Sequence, residues 1–189
     1  MTDPLHTLLT RQSIPSRQLG EPAPDDATLE RLLEAAIRVP DHGKLVPWRL
    51  IILRGPAKLE LGQRLAHMAL EKQPDLSEAK REKERTRFAH APLVIAVVAC
   101  PNLDSPIPQQ EQLLSAGCLA YNLLLGAQAL GFGAQWLTGW AAYDRDAARE
   151  FGLADHEHII SFVHIGTAQC EVPKRTRPAL ADVVSTWAP

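Results

Sequence analysis

Residues 109–130, QQEQLLSAGCLAYNLLLGAQAL, are the stretch that decides the fold. Apolar residues occupy most of the circumference of a helix drawn over this stretch, and Gly131 follows it as a stop signal. A helix this apolar has to be covered on nearly all sides. The stretch therefore predicts a long central helix, with the rest of the chain or a partner packed around it.

Four apolar runs predict the strands of a sheet. The clearest is LVIAVVA, residues 93–99, whose unbroken apolar run leaves no face for water and predicts a strand at the sheet centre. Shorter runs at residues 48–53, 134–138 and 159–165 predict three more strands. A helix from about residue 144 to 151 is expected between the last two.

Further helices are predicted from apolar spacing and capping residues. They cover residues 4–11, 29–37 (with an N-cap at Asp25-Asp26), 56–72 and 77–88. The last of these carries the charge run EAKREKERTR, which we interpret as a solvated face or a lid. Residues 173–189 form a basic, extended C-terminal arm with room for one more strand, and residues 1–189 form a single domain.

Composition limits the class of protein. The chain has 189 residues, 46% of them hydrophobic and 22% charged, with a net charge of −2. These values are typical of one globular domain without a nucleic-acid or membrane partner. We expect a cytoplasmic location, because MTDPLHTLLTRQS has no apolar leader. The odd number of cysteines and the scattered histidines predict no disulfide framework, no metal site and no nucleophile elbow.

Two clusters of cations are candidate sites. Arg11-Gln12-Ser13, with Arg17 close behind, places two guanidinium groups around a hydroxyl where the first helix ends, which suits a phosphate monoester. The alternative is that Arg11 only complements the helix C-terminus. The segment from Arg38 to Lys44 joins a helix to a strand and brings His42 between two cations. Its alternative is a loop held by a Pro47-Trp48 packing corner.

Two later segments complete the candidates. Gly131-Phe-Gly133 follows a helix and precedes a strand, the reverse of a Rossmann turn, but Trp136-Leu137-Thr138 offers backbone groups and a hydroxyl to a planar ligand. Lys174, Arg175 and Arg177 are either a second phosphate clamp or a solvated tail.

Four motifs in this order give the chain its resemblance to a known family. They are TRQS (10–13), RVPDHGKLVPW (38–48), SAGCLAYNLLLGAQALGFGAQWLTGW (115–140) and FVHIGTA (162–168). Together they resemble the nitroreductase family, most closely its short bacterial branch, and they span nearly the whole chain. The sequence departs from the family pattern at Gln12, where a second Arg is usual, and at Val46, where Gln is common.

The resemblance implies an α+β sandwich, a mostly antiparallel sheet flanked by helices, assembled as a homodimer with FMN at the subunit interface. It implies an FMN phosphate site at Arg11, Gln12, Ser13, Arg175 and Arg177. Around the flavin ring it places Arg38 and His42, with Trp136, Leu137 and Thr138 from the neighbouring subunit. It assigns the nicotinamide cofactor to Gly126, Ala127, Gln128, Ala129, Leu130 and Gly131.

The activity that the resemblance implies is that of an FMN-dependent NAD(P)H oxidoreductase. NADH or NADPH would reduce the flavin and leave before a nitroaromatic or quinone-like acceptor binds, in a ping-pong sequence. The flavin carries the chemistry, so no catalytic side chain is required. Two alternatives stay open: another flavin reaction on this fold, such as dehalogenation or dehydrogenation, and a non-catalytic flavin-binding redox sensor.

Overall fold

The sheet is antiparallel throughout and is organised around its last strand. The computed structural model describes residues 3–188, and in them the strands are β1 (Leu19–Gly20), β2 (Trp48–Arg54), β3 (Leu93–Ala99), β4 (Gly133–Leu137) and β5 (His158–Ala168). The order is β1-β5-β3-β2, and β4 also pairs with β5. Every pairing is antiparallel, so β5 is hydrogen-bonded to β1, β3 and β4.

Helices lie on both faces of this sheet. They are α1 (His6–Thr10), α2 (Asp26–Ala36), α3 (Gly55–Lys72), α4 (Glu78–Arg85), α5 (Gln109–Ala129), α6 (Arg145–Glu150) and α7 (Leu180–Val183). The predicted cap of α2 is present, because the Asp25 carboxylate accepts a hydrogen bond of 2.8 Å from the Thr28 amide. The predicted α+β sandwich is confirmed.

β3 shows why its sequence has no polar alternation. Leu93, Ile95 and Val97 point into a core that includes α2 and α5. The residues between them, Val94, Ala96 and Val98, point into a second core on the other face, with Phe88 and parts of α3 and α6. Successive strand residues face opposite sides, so a strand covered on both faces must be apolar at every position. The prediction of a central strand at residues 93–99 is confirmed.

The long helix α5 is covered by its own chain on one side only. Leu119, Ala120 and Leu123 are fully buried against the sheet and α2. On the opposite side, Leu114 is 61% exposed and Tyr121 39% exposed. The expectation that this helix is covered on nearly all sides is therefore not met within one chain.

Two elements differ from the sequence prediction. The segment after residue 178 is not a strand; it contains the single helical turn α7 and is exposed throughout residues 173–188. The two-residue strand β1 was not predicted, because two residues are too few to show an alternation. No helix within residues 3–188 combines the length and apolar character needed to cross a membrane.

Candidate functional site

The structure brings the predicted phosphate-binding residues together. A cavity of about 340 Å³, here named the arginine cleft, is lined by Arg11, Gln12, Ser13, Pro15, Gln18, Glu171, Val172, Pro173, Arg175 and Arg177. The Arg11 guanidinium Nη1 lies 3.3 Å from the Ser13 hydroxyl, to which it donates. Arg177 Nη2 donates to the Arg11 carbonyl at 3.4 Å. The arm thus meets the end of α1.

The charge of the arginine cleft is largely uncompensated. Among residues 3–188, none of Arg11, Arg175 and Arg177 has a carboxylate oxygen within 4 Å. Glu171 lines the cleft as its one acidic group, against three guanidinium groups. Guanidinium forks beside a hydroxyl match the geometry and charge of a phosphate dianion. The residues present therefore fit the phosphate group that the sequence predicts.

Gln128 has a structural role at the edge of the arginine cleft. Its side-chain oxygen accepts from the Gln12 amide at 3.1 Å, and its side-chain nitrogen donates to the Thr10 hydroxyl at 3.1 Å. These bonds fix the end of α1 to α5. Gln128 and Gly131 also line a neighbouring cavity of about 550 Å³ that shares Gln12 with the cleft.

Part of the segment predicted to bind the nicotinamide cofactor faces the core. Ala127 is fully buried, and a Cβ built on Gly126 would lie 2.6 Å from Leu32 Cδ1. Leu130 also packs against the core, whereas Ala129 is exposed. Ala127 offers no side chain to a cofactor, because its side of α5 is filled by α2 and the sheet. Gly126 is half-buried, and its contact with the nicotinamide cofactor stays a prediction.

The ring-binding candidates are divided between two places. Arg38 and Trp136 line one groove of about 410 Å³, together with Cys118, Tyr121 and other residues on the exposed side of α5. His42 is not part of this groove; its Nδ1 lies 2.7 Å from Glu111 Oε2 near the start of α5. Leu137 ends β4 opposite Phe162, and Thr138 follows it in a turn.

The loop that carries His42 has an unusual backbone. Gly43, Lys44 and Val46 have positive φ angles of 72°, 53° and 50°. A β-branched residue such as Val46 rarely adopts this conformation, so additional hydrogen bonds are needed to hold the loop. Asp41 provides them, since its carboxylate accepts from the Leu45 amide at 3.1 Å and the Val46 amide at 2.8 Å.

A buried charge pair behind Thr138 was missed by the sequence analysis. Arg87 Nη1 donates to the Thr138 carbonyl at 3.2 Å and its guanidinium also pairs with Glu84. The two side chains are only 15% and 13% exposed. The interpretation of the whole charge run as a solvated face is therefore wrong at these positions. An i,i+3 pair of opposite charges was the available signal, but such pairs are common on exposed helices.

The Cys100 thiol is not a candidate nucleophile. Burial, with a contribution from neighbouring Glu157, raises the pKa of the Cys100 thiol to about 12, so it stays protonated and a poor nucleophile. Across residues 3–188, His, Cys, Asp and Glu side chains nowhere gather in threes around a point that could hold a metal ion.

Solved structures of other proteins share this fold. A nitroreductase-like family protein from Bacillus cereus matches with a TM-score of 0.81 at 21% identity, over 98% of this chain and 96% of that one. A nitroreductase from Desulfitobacterium hafniense, solved with bound FMN, matches with a TM-score of 0.71 at 22% identity over 100% of both chains. These likenesses establish the fold class.

Sequence comparison then gives the family. The model of the nitroreductase family matches residues 8–167. A Haemophilus influenzae protein named "Putative NAD(P)H nitroreductase" is 40% identical over 180 residues, which cover 93% of this chain and 94% of that protein. The chain belongs to the nitroreductase family, as its motifs predicted.

Proposed function

We propose that this protein is an FMN-dependent NAD(P)H oxidoreductase that reduces small organic acceptors of the nitroaromatic or quinone type. The arginine cleft carries the proposal, because three guanidinium groups lie beside a serine hydroxyl and none of them pairs with a carboxylate among residues 3–188. The names of the relatives support the same reductant and cofactor. When bound, FMN would accept reducing equivalents from NADH or NADPH and pass them to the acceptor.

The residues of this chain would hold and orient the cofactor. Arg11, Ser13, Arg175 and Arg177 would bind its phosphate through charge-assisted hydrogen bonds. Arg38 would place a cation beside the flavin ring, where it stabilises negative charge. Trp136 lines the same groove as Arg38 and would pack on the ring or exclude water from it.

We propose that two copies of the chain complete this site. The arginine cleft and the Arg38–Trp136 groove are separate cavities of one chain, so one chain does not enclose a whole FMN molecule. Leu114, Cys118 and Tyr121 follow each other at i, i+4 and i+7 and form an exposed stripe along α5 beside the groove. A second copy packed on this stripe would bury it and close the groove.

The C-terminal arm supports the same assembly. Leu180, Val184 and Trp187 are 78%, 63% and 84% exposed, which is costly for large apolar side chains in water. Arg175 and Arg177 of the arginine cleft lie in the same arm. Packing of the arm on the partner would therefore bury these side chains and steady the cleft at the same time.

The test begins with the purified protein and added FMN. We expect binding in a titration that follows flavin fluorescence, bleaching of the visible flavin bands by anaerobic NADPH or NADH, and steady turnover with a nitroaromatic or a quinone. Absence of FMN binding would overturn the proposal. Binding and slow reduction with no turnover on any acceptor would instead favour the redox sensor, and a monomeric mass with FMN bound would overturn the dimer.

Arg38→Ala tests the ring contact within this scheme. We expect weaker FMN binding or slower reduction by NADPH, because a cation beside the ring is removed. Arg54→Ala is the matched control, since Arg54 makes an exposed ion pair with Asp26 at 2.7 Å and lies outside all these cavities. Full FMN affinity together with a full reduction rate in Arg38→Ala would remove Arg38 from the site.

A further inference from the structure

The buried pair of Glu84 and Arg87 does more than join α4 to the neighbouring turn. We infer that Arg87 is a positioning residue: it holds the Thr138–Gly139 peptide so that the Gly139 amide points outward and donates to the bound flavin. This inference rests on the proposed function, and it adds Glu84 and Arg87, which lie outside the four sequence motifs.

The direction of the Gly139 N–H follows from the geometry of the Thr138–Gly139 peptide. Arg87 Nη1 donates to the Thr138 carbonyl at 3.2 Å, from the interior side. The Thr138–Gly139 bond is trans, so its N–H points to the side opposite its carbonyl. Gly139 is exposed, and its amide has no backbone acceptor in the part of the chain that the structure describes. The free N–H therefore faces outward at the residue that follows Thr138.

The backbone of Gly139 lies close to the guanidinium group of Arg87. Gly139 has φ 86° and ψ −178°, a conformation that is essentially restricted to glycine. A Cβ at this position would lie 2.8 Å from Arg87 Nη1. Any side chain here would displace the guanidinium group, so the close approach of backbone and cation depends on glycine.

Two side chains, besides the Thr138 carbonyl, hold the guanidinium in place. Glu84 pairs with it, and the Glu84 carboxylate also accepts from the Trp140 indole at 2.7 Å. The guanidinium carbon lies 5.9 Å from the centroid of the Trp140 ring, within range of a cation–π contact. Trp140 comes directly after Gly139, so the pair and the turn form one connected unit.

A positive charge beside the carbonyl oxygen of a peptide group makes the N–H of the same group a stronger hydrogen-bond donor. A cationic donor on the Thr138 carbonyl polarises the peptide, and the Gly139 N–H becomes a better donor. A stronger donor to a carbonyl oxygen of the ring stabilises the negative charge of the reduced ring, so it raises the midpoint potential of bound FMN. Loss of Arg87 should weaken the donor and lower that potential.

The experiment compares Arg87→Met with Arg87→Lys and with a matched control. Arg85→Met is that control: Arg85 is the last residue of α4, two positions before Arg87, and pairs with Glu82 on the exposed side. We expect Arg87→Met to weaken FMN binding by about 3- to 10-fold, the size expected for one neutral hydrogen bond from the Gly139 amide. Its midpoint potential should be more negative, Arg87→Lys should recover part of the loss, and Arg85→Met should match the wild type.

A second readout separates this inference from the proposed function. In the ¹⁵N-labelled protein without FMN, Arg87→Met should move the Gly139 amide proton upfield, whereas Arg85→Met should not. A lower melting temperature in Arg87→Met with an unchanged Gly139 resonance and unchanged potential would show a structural link only, and would overturn the inference. If the wild type binds no FMN, the proposed function fails and the amide resonance still decides the role of Arg87 at the turn. If Arg87→Met does not fold, the potential and resonance of Arg87→Lys decide it.

Discussion

The arginine cleft and the Arg49–Glu157 pair both contain guanidinium groups, but only in the pair is the positive charge matched by a carboxylate. Arg49 donates to the two oxygens of Glu157 at 2.7 and 2.8 Å. Glu157 also accepts from the Ala154 amide and from the Cys100 thiol. In the cleft, Arg11, Arg175 and Arg177 make no such pair among the described residues.

This difference separates charge used for folding from charge available to a ligand. Arg49 and these further hydrogen bonds lower the pKa of Glu157 to about 2, although burial opposes the shift, so its carboxylate is ionised and fully engaged. The cleft arginines hold no carboxylate in this way within the part of the chain that the structure describes. A group of unpaired cations is therefore better evidence for an anion site than the number of cations alone.

The largest expected effect comes from breaking the cleft. Arg11→Ala combined with Arg175→Ala should weaken FMN binding by about 100-fold, because two charge-assisted hydrogen bonds to phosphate are lost. The melting temperature should stay close to the wild type, since neither side chain pairs with a carboxylate among the described residues and Arg11 gives up only its contact with the Ser13 hydroxyl. A fluorescence titration measures the affinity, with Arg54→Ala as control. Unchanged affinity would contradict the phosphate site.

Breaking the Arg49–Glu157 pair should lower the stability of the protein and leave its FMN affinity nearly unchanged. Glu157→Ala should lower the free energy of unfolding by about 2 kcal/mol, because it leaves Arg49 without its partner. The cost stays below that of a fully buried pair, since the Arg49 side chain is 39% exposed to water. Urea denaturation measures the loss. A large drop in FMN affinity at unchanged stability would contradict this division of roles.

A buried group with no ionic partner should respond to pH. His164 is 1% exposed, and burial, helped by nearby cations including Lys58, lowers its pKa to about 4. Its folded pKa lies below the unfolded value of about 6.5, so the unfolded state binds more protons and stability falls as pH falls through this window. Between pH of about 7.5 and about 5.5 we expect a loss of about 1 kcal/mol.

The control for that titration is His164→Gln, which removes the ionisable group from the core. Its urea midpoint should be lower at neutral pH but should vary less between pH of about 7.5 and about 5.5. An equal pH dependence in both proteins would assign the effect to other groups.

Salt gives the smallest expected difference between the two regions. FMN affinity should fall by about 3-fold between roughly 0.05 M and roughly 0.5 M NaCl, because the exposed cleft charges are screened. The contribution of the Arg49–Glu157 pair should change less, since direct hydrogen bonds hold it and Glu157 is largely buried. It is measured as the stability difference between wild type and Glu157→Ala at each salt concentration.

Apolar runs and turn residues in the sequence were enough to predict the limits of the central strand and the long helix. β3 has the predicted limits, and α5 ends one residue before its predicted end, because apolar runs and a stop glycine define them. The helical turn at Leu180 was read as a possible strand, since four residues carry too little periodicity to distinguish the two.

The candidate site could be predicted only where a motif carries it. Arg11 and Ser13 are adjacent in sequence, and the cleft contains both. Arg87 contacts Thr138 across 51 positions, and no local spacing reports such a contact. Likewise, the burial of Ala127 depends on how α2 packs on α5, which the apolar pattern of either helix leaves undetermined.

The position of β5 in the chain has a consequence for synthesis. β5 ends at Ala168 in a chain of 189 residues, and β1, β3 and β4 all use it as a partner. As the chain leaves the ribosome, only the β2–β3 pair can form its native ladder before β5 emerges. β1 and β4 must wait with unsatisfied edges until β5 has been made. The nascent protein therefore has a late period in which its sheet is open, and this is the stage at which we expect a chaperone to be needed most.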